Sequence, residues 1–295
     1  MSPELSVAGL LIGVLVGLTG MGGGSLLTPV LVLLFGFNPT VAVGTDIAHG
    51  AVFKTVGAVR HRRMGNVQAR LSGWMFLGSA PMSLLGVWLA TQLSEHGTDA
   101  KSASARILGA ALIFGAVGLV LKSMVRVRPP LETAFLLTNR DRLAGVAIGF
   151  FGGFIVGLTS VGSGVFFALT MLFVFPLKAT KVVGTDIFHA AALLYVAGAG
   201  HFVAGNVDVA TVAWLLLGSI PGVLIGSQLT ASIPERALRG ALATTLAVAG
   251  LKLIDPPGSS YIVVGFLVGG LVVLALWLAR KRLERIRVYE AEGAS

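Results

Sequence analysis

Two short patterns, each occurring twice, hold most of the polar chemistry in this chain of 295 residues. The first is Asp46 with His49, repeated as Asp186 with His189. Residues three apart share a helix face, so each histidine is expected within reach of its aspartate. Such a pair can hold and release a proton, because histidine is the side chain that titrates nearest physiological pH. An acid inside an apolar helix is costly enough to mark function by default. The plainer alternative is that Thr45 or Asp46 caps a helix restarting after Gly44. Read as ligands, the two pairs lack the additional carboxylates of helical-bundle metal centres, and no metal is expected.

The second pattern is the run Gly17-Leu18-Thr19-Gly20-Met21-Gly22-Gly23-Gly24-Ser25, mirrored by Gly157-Leu158-Thr159-Ser160-Val161-Gly162-Ser163-Gly164. A glycine-rich turn between two half-helices presents backbone N–H groups beside a positive helix end, which makes an anion cradle at bilayer depth. The expected substrate-binding residues are Thr19, Gly22, Gly23, Gly24, Ser25 and Thr45 in the first copy, and Thr159, Gly162, Ser163, Gly164 and Thr185 in the second. Asp46, His49, Asp186 and His189 are the expected proton-coupling residues. Close helix contact is the competing use of glycine in a membrane.

Other residues read more plainly. Lys54 has no counterpart, Leu194 standing at the matching place; it is near enough to a segment end to snorkel, or to attract an anion. His61 and His201 each precede Gly-Asn-Val by four residues, which is turn chemistry. Pro81 and Pro221 mark paired kinks, and Trp74 and Trp214 read as interface or packing aromatics.

The elements that carry these residues belong in lipid. Hydrophobic residues make up 55% of the chain, charged ones 12%, and the mean hydropathy is +0.88; a soluble domain carries about 25% charged residues. The net charge of +9 comes in short clusters between apolar runs, such as Arg60-His61-Arg62-Arg63 and Arg280-Lys281-Arg282, which are topology signals and not a nucleic-acid surface. Without cysteine, disulfides and thiolate chemistry are excluded. No Gly-x-Ser-x-Gly, His-Glu-x-x-His or Gly-x-x-x-x-Gly-Lys motif occurs, so neither an enzyme nor an ATP-driven pump is expected, and no cofactor. Glu4 stands where a signal peptide would be basic, so the chain from residue 5 is expected to be mature structure.

Apolar stretches predict helices at 5–18, 24–36, 39–60, 70–91, 104–125, 142–158, 162–175, 180–203, 209–230, 236–253 and 260–279. The pairs 5–18 with 24–36, and 142–158 with 162–175, fall short of the roughly 20 residues needed to cross a bilayer and read as half-helix hairpins around the glycine turns. A shift of 140 residues aligns 13–89 with 153–229 without a gap, with 29 of 77 positions identical. That is duplication and fusion, as in many secondary transporters. The loop at 60–70 holds Arg60, Arg62, Arg63 and Arg70, while its mate at 200–210 has no Lys or Arg, so the copies are expected to be inverted. The expected architecture is an all-α polytopic membrane protein. It comprises a first repeat at 1–125, a cytoplasmic linker at 126–141, a second repeat at 142–255, an extra transmembrane helix at 256–280 and a basic cytoplasmic tail at 281–295.

Gly17 to Gly24, followed by Pro29 and then Ala42-Val43-Gly44-Thr45, resembles the sulfite exporter TauE/SafE family, also called the toluene sulfonate uptake permease family. The likeness covers nearly the whole chain. In the second copy Ser160 and Ser163 replace glycines and Leu169 stands in place of Pro29. The resemblance implies a secondary transporter of sulfite, a sulfonate, sulfoacetate or a similar small anion. Alternating access with protons as coupling ion, in a cell inner membrane, is the expected mechanism. A passive anion channel, or a transporter of a non-sulfur organic anion, is the alternative.

Overall fold

The computed structural model describes residues 2–19, 26–95, 98–124, 137–229 and 235–255, and every regular element among them is an α-helix. The first repeat contains α1 (Ser2–Thr19), α2 (Leu27–Leu33), α3 (Pro39–Arg63), α4 (Ala69–Glu95) and α5 (Thr98–Met124). The second contains α6 (Asn139–Thr159), α7 (Phe166–Val174), α8 (Ala179–Val203), α9 (Val209–Leu229) and α10 (Glu235–Ile254). All ten helices expected up to residue 255 are present. The turn with Gly22, Gly23, Gly24 and Ser25, most of the 126–141 linker, the expected helix at 256–280 and the tail at 281–295 lie outside the described residues.

One expectation is revised. The stretch at 142–158 is no half-helix, because α6 has 21 residues and is long and apolar enough to cross a membrane. Its polar first turn, Asn139-Arg140-Asp141-Arg142, is absent from the apolar run but is still helical. Thr138 and Asp141 close a capping box around it. α1 also runs longer than its apolar stretch, from Ser2 to Thr19, although it counts only as a shorter apolar helix, Pro3–Gly17. The short partners α2 and α7, of 7 and 9 residues, remain half-helices. Each hairpin therefore joins one long arm to one short one. Among the described residues five helices qualify as spans by length and hydropathy; α3, with 25 residues, is as long, but Asp46, His49 and Lys54 interrupt its apolar run.

Glycine seams fix how the helices pair. Along α6, Gly145, Gly149, Gly153 and Gly157 recur every four residues and line one face. A Cβ at Gly149, Gly153 or Gly157 would run into the backbone of Met75, Ser79 or Ser83 on α4. Both series climb together, so α4 and α6 are parallel. On the other side Gly9 meets Leu215, and Gly13 meets Ser219, which makes α1 parallel to α9. Small residues that admit another backbone are the standard contact between membrane helices, where lipid removes the hydrophobic drive to associate.

Repeat mates, in contrast, run against each other. Gly50 of α3 faces Leu194 of α8 while Gly57 faces Ile187. Likewise Gly109 of α5 reaches Ile254 of α10, and Gly250 of α10 reaches Ile113. Antiparallel mates are what an inverted repeat produces, with each long glycine-seamed arm donated to the opposite repeat. Ile47, Leu193 and Leu194 pack into one buried cluster where α3 meets α8.

Candidate functional site

The polar centre is built on α3. Asn38 caps this helix by accepting from the Thr40 N–H at 2.9 Å, with Pro39 in the first turn. Asp46, His49, Gly50 and Lys54 then follow at helical spacing along one face. All are buried, Asp46 being 1% and Lys54 4% exposed. Lys54 does not snorkel. Its Nζ donates to Ser163 Oγ at 2.7 Å and to the Ser163 carbonyl at 3.4 Å.

Its acceptor belongs to the glycine turn of the other repeat. Ser160 is left-handed at φ 60°, and Gly162 and Gly164 sit at φ 119° and 113°, where side chains rarely fit. This turn lets α6 stop and α7 restart without continuous helix. Asp46 holds the same turn: its Oδ2 accepts from Ser160 Oγ at 2.9 Å, and from Thr28 Oγ1 of α2 at 2.5 Å. Asp46 and Lys54 of α3 thus grip both ends of the turn at 160–164. Thr159 spends its hydroxyl locally, donating to the Ile155 carbonyl at 2.7 Å and accepting from the Val161 N–H at 3.2 Å.

The histidines pair elsewhere than expected. His49 Nε2 shares a 2.8 Å hydrogen bond with Ser219 Oγ of α9, and His189 Nε2 a 3.3 Å contact with Ser79 Oγ of α4. Ser79 and Ser219 are repeat mates, as are the histidines. For Asp46 and His49 the shared helix face therefore does not become a shared hydrogen bond, because Thr28, Ser160 and Ser219 reach their polar atoms first. His49 also stacks on Phe53, and His189 stands edge-on to Phe167 with centroids 4.6 Å apart. Asp186 is buried at the place matching Asp46, and both carboxylates act electrostatically on Lys54. Asp46, His49, Lys54 and Ser219 line a small cavity with Ile12 and Val16, with room for about one water molecule.

Thr45 and Thr185 are placed differently from the rest. Thr45 Oγ1 accepts from the Asp208 N–H at 3.0 Å, and Thr185 Oγ1 from the Gln68 N–H at 2.9 Å. A Cβ at Gly44 or Gly184 would strike the Asn206 or Asn66 carbonyl. Each Gly-Thr pair is therefore a socket for the Gly-Asn-Val turn of the other repeat. These turns close α3 and α8 with Gly65 and Gly205 at φ 69° and 73°, the Asn66 and Asn206 N–H groups reaching the His61 and His201 carbonyls. That confirms turn chemistry after the two histidines, although His201 is also buried and bonds the Gly157 carbonyl at 2.9 Å. Among the described residues no cluster of three or more His, Cys, Asp or Glu could hold a metal.

Sequence reasoning passed over Thr28, Ser79, Ser160 and Ser219 and left Lys54 undecided. The Gly-Ser that precedes both Pro81 and Pro221 was a signal that could have found the α4 and α9 serines. Thr28 and Ser160 had no such signal, because Ala168 and Gly20 occupy their mate positions.

Residues 5–253 match the family described as Sulfite exporter TauE/SafE. Three curated proteins of Bacillus subtilis (strain 168) are similar along most of their length. The probable membrane transporter protein YjnA is 40% identical over 256 residues, 86% of this chain and all of that protein. The probable membrane transporter protein YdhB is 28% identical over 245 residues, 83% of this chain and 96% of its own. The third, the probable membrane transporter protein YunE, is 26% identical over 256 residues, 79% of this chain and 88% of its own. No solved structure matches. Multi-pass helices, inverted glycine-seamed halves and this match along nearly the whole chain agree, and the protein belongs to the sulfite exporter TauE/SafE family of membrane transporters.

Proposed function

We propose that this protein is a secondary transporter that moves a small sulfur-containing anion, such as sulfite, a sulfonate or sulfoacetate, by alternating access coupled to protons. The observation that carries the reading is the buried ammonium of Lys54, held on Ser163 in the glycine turn of the opposite repeat. A cation at this depth is expensive unless paired, and it marks an ion path by default. An arriving anion takes the place of the Ser163 oxygens on Lys54 and frees the turn. Protonation of Asp46 weakens its hold on Thr28 and Ser160 and frees the other end. Anion and proton thereby act on one movable element from two sides. The glycine turns supply the remaining contacts through backbone N–H groups, and the antiparallel mates supply two related conformers.

The cavity beside Asp46 and Lys54 is too small for a sulfonate, in keeping with a closed conformer that opens during the cycle. The preference for sulfur oxyanions rests on the family description. The proposed location is the cell inner membrane, with the arginine-rich turn after α3 and the C-terminus cytoplasmic.

The test is flux of sulfite, thiosulfate, sulfoacetate and an aryl sulfonate into proteoliposomes, with and without an imposed pH gradient. Saturable uptake of one of them against its concentration gradient, driven by the pH gradient, is expected. Asp46→Asn should retain anion exchange and lose the response to the pH gradient. Flux that is passive for every anion would replace this reading with a channel, and an unaltered gradient response in Asp46→Asn would remove Asp46 from the coupling.

A further inference from the structure

A second polar feature lies away from this centre, where α4 and α6 begin side by side. A groove of about 400 Å³ opens there between Arg70, Gly73, Trp74 and Leu77 of α4, Leu137, and Arg142 of α6. Arg70 and Arg142 are exposed, and the Arg142 guanidinium lies 5.6 Å from the centre of the Trp74 ring. Among the described residues neither guanidinium donates a hydrogen bond or joins an ion pair. The neighbouring Asp141 carboxylate accepts from the Thr138 N–H and hydroxyl and makes no ion pair with either arginine. Gly73 leaves the floor open, since nothing stands within 4 Å of a Cβ there. One turn deeper Leu77 is 61% exposed, on a helix apolar enough to face lipid.

The groove is one-sided. In the repeat mate, at the opposite end of the molecule, Trp214 matches Trp74, but Ala210 and Ser2 stand where the arginines would be. The aromatic was kept in both halves while the paired positive charge exists in one.

We propose that this groove binds the headgroup of an anionic phospholipid, its phosphate between Arg70 and Arg142, its glycerol against Trp74 and an acyl chain along Leu77. Planar guanidinium groups match phosphate oxygens with paired N–H donors, and tryptophan sits at the headgroup level of a bilayer. The exposed leucine beneath the charges selects a lipid over a soluble phosphate, because only a lipid covers both.

The experiment uses the full-length protein in detergent micelles, titrated with phosphatidylglycerol or phosphatidylcholine of identical acyl chains, with bound lipid counted by native mass spectrometry. A basic side chain near an anionic headgroup contributes about 1 kcal/mol, or about fivefold. The two arginines together should favour phosphatidylglycerol by about 25-fold. Arg70→Gln with Arg142→Gln should bring its retention down to that of phosphatidylcholine, while leaving the helical circular dichroism unchanged. Soluble glycerol phosphate should neither bind nor compete. Equal retention of the two lipids by the unaltered protein, undiminished phosphatidylglycerol in the double variant, or competition by glycerol phosphate would each overturn the assignment.

Discussion

Lys54→Met isolates the charge at the polar centre with little change in shape. Methionine keeps most of the apolar stem and removes the ammonium, and with it the two contacts to Ser163 at 2.7 and 3.4 Å. Leu194 at the mate position shows that the fold accepts an apolar side chain in this register. If the ammonium holds the anion, the variant loses a hydrogen bond to a charged group, about 1.5–3 kcal/mol. At tenfold per 1.4 kcal/mol this raises KM about 10- to 150-fold. The assay is initial flux against anion concentration in proteoliposomes, normalised to the amount of monodisperse protein inserted. A purely architectural Lys54, one that only fixes the turn at 160–164, would change the maximal rate or the yield of folded protein and leave KM in place. Ser163→Ala separates the two further: it keeps the ammonium and removes a competitor for it, so KM should fall or stay unchanged while the closed conformer loosens. An unchanged KM in well-folded Lys54→Met would refute the anion contact.

Three further outcomes follow from the packing. Gly149→Ala drives a methyl into the Met75 carbonyl and forces α4 from α6. It should cost about 1–3 kcal/mol, read as a lower melting temperature in detergent, whereas Gly73→Ala, with open space around it, should leave the melting temperature unchanged or raised. Thr185→Val removes the acceptor of the Gln68 N–H, and Thr45→Val that of the Asp208 N–H. Each leaves an amide unpaired at about 1–3 kcal/mol, and near-equal losses in thermal unfolding are expected if the two sockets are equivalent. Single cysteines at Met64 and Ala204, in a chain without native cysteine, cap antiparallel mates and should react with an impermeant thiol reagent from opposite sides of the membrane. Labelling from one side would contradict the inverted arrangement.

Most of the helical order was legible because lipid imposes it: each apolar run must be a helix to satisfy its own backbone. The repeat was legible as identity at a fixed shift, so that α8 occupies the bounds of α3 moved by 140 residues. Helix starts were less so, since the Asn139-Arg140-Asp141-Arg142 turn is polar and only its capping box shows that it belongs to α6. The site was half legible. Asp46, His49, Asp186 and His189 announced themselves as ionisable groups in apolar helices. Their partners did not, because hydrogen bonds such as Ser160 to Asp46 or Ser219 to His49 cross the repeat boundary. Spacing along one helix suggested that Asp46 and His49 bond each other, and tertiary competition from Thr28, Ser160 and Ser219 decided otherwise. The same crossing turns Thr45 and Thr185 into sockets for the opposing Gly-Asn-Val turns, something that local sequence does not encode.

The inverted halves are not interchangeable at their centre, and this shapes the proposed cycle. Two identical halves would give inward- and outward-facing conformers of equal free energy, because each would be the other turned over. Here Lys54 faces a mate Leu194, Thr28 a mate Ala168, Ser160 a mate Gly20 and Ser163 a mate Gly23. Of the side chains that clamp the turn at 160–164 through Asp46 and Lys54, only Asp46 has a repeat mate of the same type, Asp186. Each hydrogen bond to a charged group is worth about 1.5–3 kcal/mol, so in the proposed cycle the clamped conformer is the resting one, and leaving it requires something that competes for the same charges. An anion on Lys54 and a proton on Asp46 are those competitors. In the proposed cycle this asymmetry makes release of the turn conditional on substrate and proton arriving together, the requirement that separates a coupled transporter from a leak.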